Sequence, residues 1–111
     1  EGVSTLGEIR MAARAVDGVV IKLRKLGGIA TSLEAITLAR SLGLRVMIGC
    51  MIESSVAITA AAHLGGICDF VDLDAPLLIS NDPYEGVRYE GSMLSLPDRP
   101  GIGVLPRVQV S

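Results

Sequence analysis

Three short aliphatic runs alternate with helical stretches, and this order limits what the chain can fold into. Val19-Val20-Ile21-Lys22-Leu23 reads as a buried strand, Arg45-Val46-Met47-Ile48 as a second and Phe70-Val71-Asp72-Leu73 as a third. Before the first, Ser4 or Thr5 followed by Gly7-Glu8 marks a helix start. Ile9, Met11, Ala12 and Ala15 give that helix a buried face up to about Ala15, and Asp17-Gly18 ends it. Gly27-Gly28 makes a permissive loop, Thr31 or Ser32 caps a helix running to about Leu42, and Gly43 stops it. Gly49 to Glu53 reads as a loop, Ser54 or Ser55 as the cap of a helix over Ala57 to Leu64, and Gly65-Gly66 as its end. Strands alternating with helices in this way lie parallel and are joined by right-handed crossovers, so the fold class is α/β.

Composition agrees. Half of the 111 residues are hydrophobic and only 3% are aromatic, so Ile, Leu, Val and Ala must fill the buried strands and the helices covering them. A net charge of −2 and a pI near 5.3 give no electrostatic footprint for nucleic acid or an anionic membrane. The longest apolar stretch, Val56 to Val71, is broken by His63 and two glycines and is too short for a membrane span. The start, Glu1-Gly2-Val3, has neither the basic opening nor the apolar core of a signal peptide, so a cytoplasmic protein is expected. It also lacks Met, which fits a processed, excised or partial chain. Cys50 and Cys68 lie in apolar stretches and are expected to be reduced packing residues, with a disulfide between them as the alternative. The single histidine, His63, reads as a partly buried helix residue, and no Cys/His spacing suits a metal.

After Asp74 the character changes. All five prolines fall between Pro76 and Pro106, with Gly86, Gly91, Gly101 and Gly103 among them. Gly86–Tyr89 and Met93–Leu96 fit either a small hairpin or segments lying over a barrel. Residues 1–74 are therefore read as the α/β part, and 75–111 as a tail leaving that layer.

Polar residues close each strand: Lys22 the first, Cys50 and Glu53 after the second, Asp72 and Asp74 the third. In parallel α/β folds the C-terminal strand ends form the site, so these residues converge if the strands are neighbours. Lys22 ends an otherwise apolar strand. A lysine that accepts a proton must be neutral part of the time, which burial and a nearby cation favour, Lys25 or a metal being the candidates here. A lysine snorkelling to solvent or paired with Asp72 fits the spacing as well. Asp72-Leu73-Asp74 puts two carboxylates on one side of a strand, suited to an ammonium group, a metal or loop hydrogen bonds. Glu53 precedes a helix and fits a favourable helix-dipole charge. Gly27-Gly28 matches neither a dinucleotide fingerprint nor a phosphate-binding loop.

Four strings together resemble one family. Residues 17–29, Asp-Gly-Val-Val-Ile-Lys-Leu-Arg-Lys-Leu-Gly-Gly-Ile, resemble the sixth barrel strand of the muconate-lactonizing subgroup of the enolase superfamily. Gly49-Cys50-Met51-Ile52-Glu53-Ser54-Ser55 resembles the turn after its seventh strand, Asp72-Leu73-Asp74-Ala75-Pro76-Leu77-Leu78 its eighth strand, and residues 96–104 its closing segment. The Asp-Leu-Asp element with the Gly-Cys-Met-Ile-Glu-Ser turn is most similar to dipeptide epimerases of the L-Ala-D/L-Glu type.

The resemblance implies the last three strands of a TIM-like (β/α)7β barrel in which Mg²⁺ stabilises an enolate, with residues 75–111 as a tail packing back toward a capping domain. Two lysines flank the substrate α-carbon, and Lys22 matches the one on the sixth strand. Cys50 matches a turn position that contacts substrate through its backbone, while Asp72 and Asp74 match the pair that binds the dipeptide ammonium. Lys25 and Glu53 are supporting candidates. The resemblance puts the metal ligands, the partner lysine and the capping domain outside this chain, with Glu1 matching the second residue of the last ligand's Asp-Glu pair. N-acylamino acid racemase, o-succinylbenzoate synthase and muconate cycloisomerase are the enzyme alternatives, and a non-catalytic partial-barrel binding or assembly module is the rival of another class. Alone, the chain is expected to be inactive and to form homo-oligomers, because barrel-facing residues such as Val20 and Val46 would lack partners.

Overall fold

A computed structural model describes residues 2–108; Glu1 lies outside the described residues. The three aliphatic runs form one parallel sheet in the order β1 (Gly18–Lys22), β2 (Arg45–Gly49), β3 (Phe70–Asp72). Helix α1 (Leu6–Ala12) precedes β1, the short α2 (Leu23–Leu26) follows directly on it, and α3 (Ile29–Ser41) and α4 (Ser55–Ala62) carry the chain from β1 to β2 and from β2 to β3.

Alternation sorts the strands into two faces. Val19 and Ile21 of β1 and Val46 and Ile48 of β2 are buried, joining Ile9, Ile36 and Ile58 from the helices in the core. Val20 and Met47 lie on the other face in one row with Phe70, which is 50% exposed with the Arg45 guanidinium over its ring. Val46 is thus not a barrel-facing residue, as the sequence reading had it. It is fully buried under the helices, and its neighbour Met47 shares the open face with Val20.

Helix ends follow local chemistry. Thr5 caps α1 in a capping box: its hydroxyl accepts from the Glu8 amide, and the Glu8 carboxylate accepts from the Thr5 amide. Regular helix stops at Ala12 and turns continue to Ala15. Gly28, not Thr31 or Ser32, caps α3, because Gly27 (φ 87°) and Gly28 (φ 130°) adopt conformations open to glycine and reverse the chain at once. Ser32 then falls inside the helix, fully buried. Leu23 belongs to α2 rather than to the strand. His63 is an exposed C-cap of α4, not a half-buried helix residue. Both cysteines are free, and among the described residues no helix is long and apolar enough to cross a membrane.

The tail forms two small antiparallel pairs, β4 (Tyr84–Glu85) with β7 (Leu105–Pro106), and the hairpin β5 (Arg88–Glu90) with β6 (Met93–Ser95). It docks on α4 through residues four apart, which share a helix face. Asp82 accepts from the Ser55 amide (2.9 Å) and hydroxyl (2.6 Å), Thr59 accepts from the Val87 amide (3.1 Å), and the His63 ring meets the Ile102 carbonyl (3.1 Å). Gly86 belongs to the same contact: a Cβ there would collide with the Thr59 hydroxyl.

Ser54 occupies the N-cap of α4 but makes no side-chain cap, and the Asp82 carboxylate does that work from the tail. Burial raises the Asp82 carboxyl, but hydrogen bonds from the Ser55 hydroxyl and from the Tyr84 and Ser55 amides outweigh it and hold the group below its usual range. A folded value below the unfolded one means the stabilisation is complete above the ordinary aspartate value near 4 and is lost as pH falls through the lowered value. Asp82→Ala is expected to cost about 1–2 kcal/mol, and Asp82→Asn less, since Asn caps nearly as well. Thermal unfolding of both variants between pH 7 and pH 3 checks this: the deficit of the Ala variant should shrink on acidification, and a constant deficit would mean packing, not the carboxylate, is lost.

Candidate functional site

The parallel register sets the site at the C-terminal strand ends. Lys22 pairs with Gly49, and Gly49 with Asp72, so the three form one cross-strand row on the face opposite the helices. Adjacent strands are about 4.8 Å apart, which separates the Lys22 and Asp72 backbones by roughly 9–10 Å. The glycine between them is required by space. A Cβ at Gly49 would stand 2.9 Å from Val20 Cγ1 and 3.5 Å from Lys22 Cε, so the lysine stem lies across the position a side chain would fill.

Asp72 ends β3, and Asp74 opens the 3₁₀ turn Ala75–Leu77. Leu73 between them is buried (3% exposed) while both carboxylates are exposed, so the pair points to one side. Cys50 lies beside it, with Sγ 3.8 Å from Asp74 Oδ1. Burial pushes the Cys50 thiol up, and the Asp74 and Asp72 charges push the same way against two backbone hydrogen bonds. Cys50 is therefore a neutral thiol here and no ready nucleophile.

The supporting candidates sit apart. The Glu53 carboxylate accepts from the Met51 amide at 3.3 Å within its own loop. Lys25 lies in α2 near Glu8, whose carboxyl is held low by the Ser4 amide first, with the Lys25 charge a smaller contribution.

Tyr89, in sequence only the end of a short tail segment, joins the site in the structure. From β5 its hydroxyl donates to the Leu73 carbonyl at 2.5 Å, between the two aspartates. Burial first, then the Cys50 thiolate that forms only at high pH and the Asp74 and Asp82 carboxylates, push its phenol up to about 12, so it stays a donor. Being one of three aromatics in the chain does not mark it for the site, because its partner Leu73 lies 16 residues away along the chain. Tyr89, Asp72 and Asp74 line an open pocket of about 510 Å³ together with the apolar Val71, Leu77 and Met93. Among the described residues no group of three or more His, Cys, Asp or Glu side chains is placed to hold a metal ion. A carboxylate pair beside an apolar wall suits a small organic cation.

The profile of the enolase C-terminal domain-like family matches residues 1–110. The chain belongs to that family. Among family members with assigned activity, an L-Ala-D/L-amino acid epimerase from Pedosphaera parvula is 47% identical over 90% of this chain and 29% of its own length. The substrate-liganded L-Ala-D/L-Glu epimerase from Bacillus subtilis superposes with a TM-score of 0.88 at 34% identity, covering 96% of this chain and 32% of that one. The dipeptide epimerase from Methylococcus capsulatus, solved with Mg, gives 0.87 at 31% identity, over 95% and 32%. The chain thus spans about three tenths of the length of the relatives it matches. The α/β fold with its parallel sheet is that of the enolase C-terminal barrel domain.

Proposed function

We propose that these residues are the last three strands and closing tail of a (β/α)7β barrel in a longer cytoplasmic dipeptide epimerase, which moves one proton on and off the same carbon. The observation that carries the reading is the row Lys22–Gly49–Asp72, continued by Asp74, on the face away from the helices. Lys22 removes the α-proton on one side of the carbon or returns it there. A second acid/base group outside the described residues serves the other side. Asp72 and Asp74 take the dipeptide ammonium, as opposite charges with free lone pairs do well. Cys50, a neutral thiol beside Asp74, lines the substrate edge. The relative from Methylococcus capsulatus was solved with Mg, but the described residues offer no convergent group for a metal, so no step is run through one. In the longer protein its ligands come from elsewhere in the barrel. The free cysteines support a reducing compartment.

The test has two parts. The full-length protein, given dipeptides in D₂O with Mg²⁺, should exchange the α-proton of the C-terminal residue and invert it; exchange of no dipeptide would refute the reading. Residues 1–111 alone should show no turnover and should associate, because the β3 edge and the row Val20–Met47–Phe70 are open. Light scattering on a clean monomer, or turnover by the short chain, would overturn that part.

A further inference from the structure

Resting on the proposed ammonium role of Asp72 and Asp74, we infer that Tyr89 is a positioning residue that sets substrate affinity by locking the turn between the two carboxylates. Three observations carry this. The Tyr89 hydroxyl donates to the carbonyl of Leu73, the residue joining Asp72 to Asp74. Leu73 is itself buried, so this peptide is gripped from both sides, by packing below and by a hydrogen bond above. Tyr89 comes from the hairpin β5–β6, which Val87 fastens to Thr59 of α4 two residues earlier.

The strand pairing ends at Asp72, so Leu73 and Asp74 lie beyond the paired register of the sheet. Without the tyrosine, Asp74 would be held by the 3₁₀ turn, by the Asp74 and Ala75 amides on the Cys50 sulfur, and by the long side-chain contact to Cys50, none of which grips the Leu73 carbonyl. Two carboxylates that share one ammonium must keep a fixed separation, and orientation lost there is affinity lost. The phenol touches neither substrate nor reacting atoms on this account. It acts through the backbone, and the tail becomes part of the binding apparatus.

The experiment uses the full-length protein. Tyr89→Phe keeps the ring and removes the donor. For a free dipeptide KM should rise about three- to tenfold, the range that one hydrogen bond spans, with a much smaller change in kcat. The inhibition constant of the same dipeptide N-acetylated should move little, because it carries no ammonium. Unchanged KM overturns the inference, and equal weakening of both ligands reassigns Tyr89 to general support of the fold. As a measurement that does not depend on the variant folding, 3-fluorotyrosine at position 89 keeps the hydroxyl. Its ¹⁹F resonance should shift when the free dipeptide binds and stay in place with the N-acetylated form. An unmoved resonance overturns the inference. A wild-type protein that neither binds nor exchanges any dipeptide removes the functional reading and this inference with it, whereas an active wild type with an indifferent Tyr89→Phe removes only the inference.

Discussion

Lys22→Ala in the full-length protein is expected to abolish epimerisation, with a fall in kcat of at least about 10²–10⁴-fold, the contribution of a positioned acid/base group. The substitution leaves the core intact, since Lys22 points to the face away from Val19 and Ile21. The proposed chemistry makes the loss asymmetric. With Lys22 gone, the remaining group still reaches the α-proton of one isomer, so deuterium enters that isomer without inversion while the other stays inert. NMR in D₂O on both isomers reads this directly. Exchange in both, or near-normal turnover, would take Lys22 out of the mechanism.

The second large effect belongs to the acidic pair. Replacing Asp72 or Asp74 with Asn keeps size and hydrogen-bonding capacity and removes charge. A charge-assisted hydrogen bond is worth about 1.5–3 kcal/mol, so kcat/KM for free dipeptides should drop roughly 10- to 100-fold. N-acylated analogues, lacking the ammonium, should lose far less. Equal losses for both would assign the pair to strand-end structure. Cys50 offers an internal control: with Asp74 neutral, the thiol loses one charge that pushes it up and should titrate lower.

Much of the layer was legible because aliphatic runs bounded by glycine have few other uses. All three strands and the stop at Gly43 follow from that pattern. The face of β2 did not. Arg45-Val46-Met47-Ile48 is apolar on both sides of the strand, so alternation carries no phase, and only the pairing with β1 shows that Val46 turns inward to the helices. The start of α3 was misjudged because Thr31 and Ser32 are better caps than glycine in general, whereas here two glycines with positive φ let the helix begin at Ile29. Lys22, Cys50, Asp72 and Asp74 could be singled out as strand-end polar residues, which is a local property. Tyr89 and Asp82 could not, because they act 16 and 27 residues away along the chain through the docking of the tail.

Lys22 and Asp72 stand on strands separated by a single strand whose residue there has no side chain. Their spacing is therefore a property of backbone hydrogen bonding, and no loop movement can stretch it. On the proposed reading, the sheet measures the substrate from its charged end to its reacting carbon. An added residue lengthens an extended peptide by about 3.5 Å. In a tripeptide anchored by the same ammonium the C-terminal α-carbon therefore lies that far past Lys22, and the carbon that faces the lysine is flanked by an amide in place of the terminal carboxylate. A turnover of tripeptides matching that of dipeptides would show that the anchor lies elsewhere.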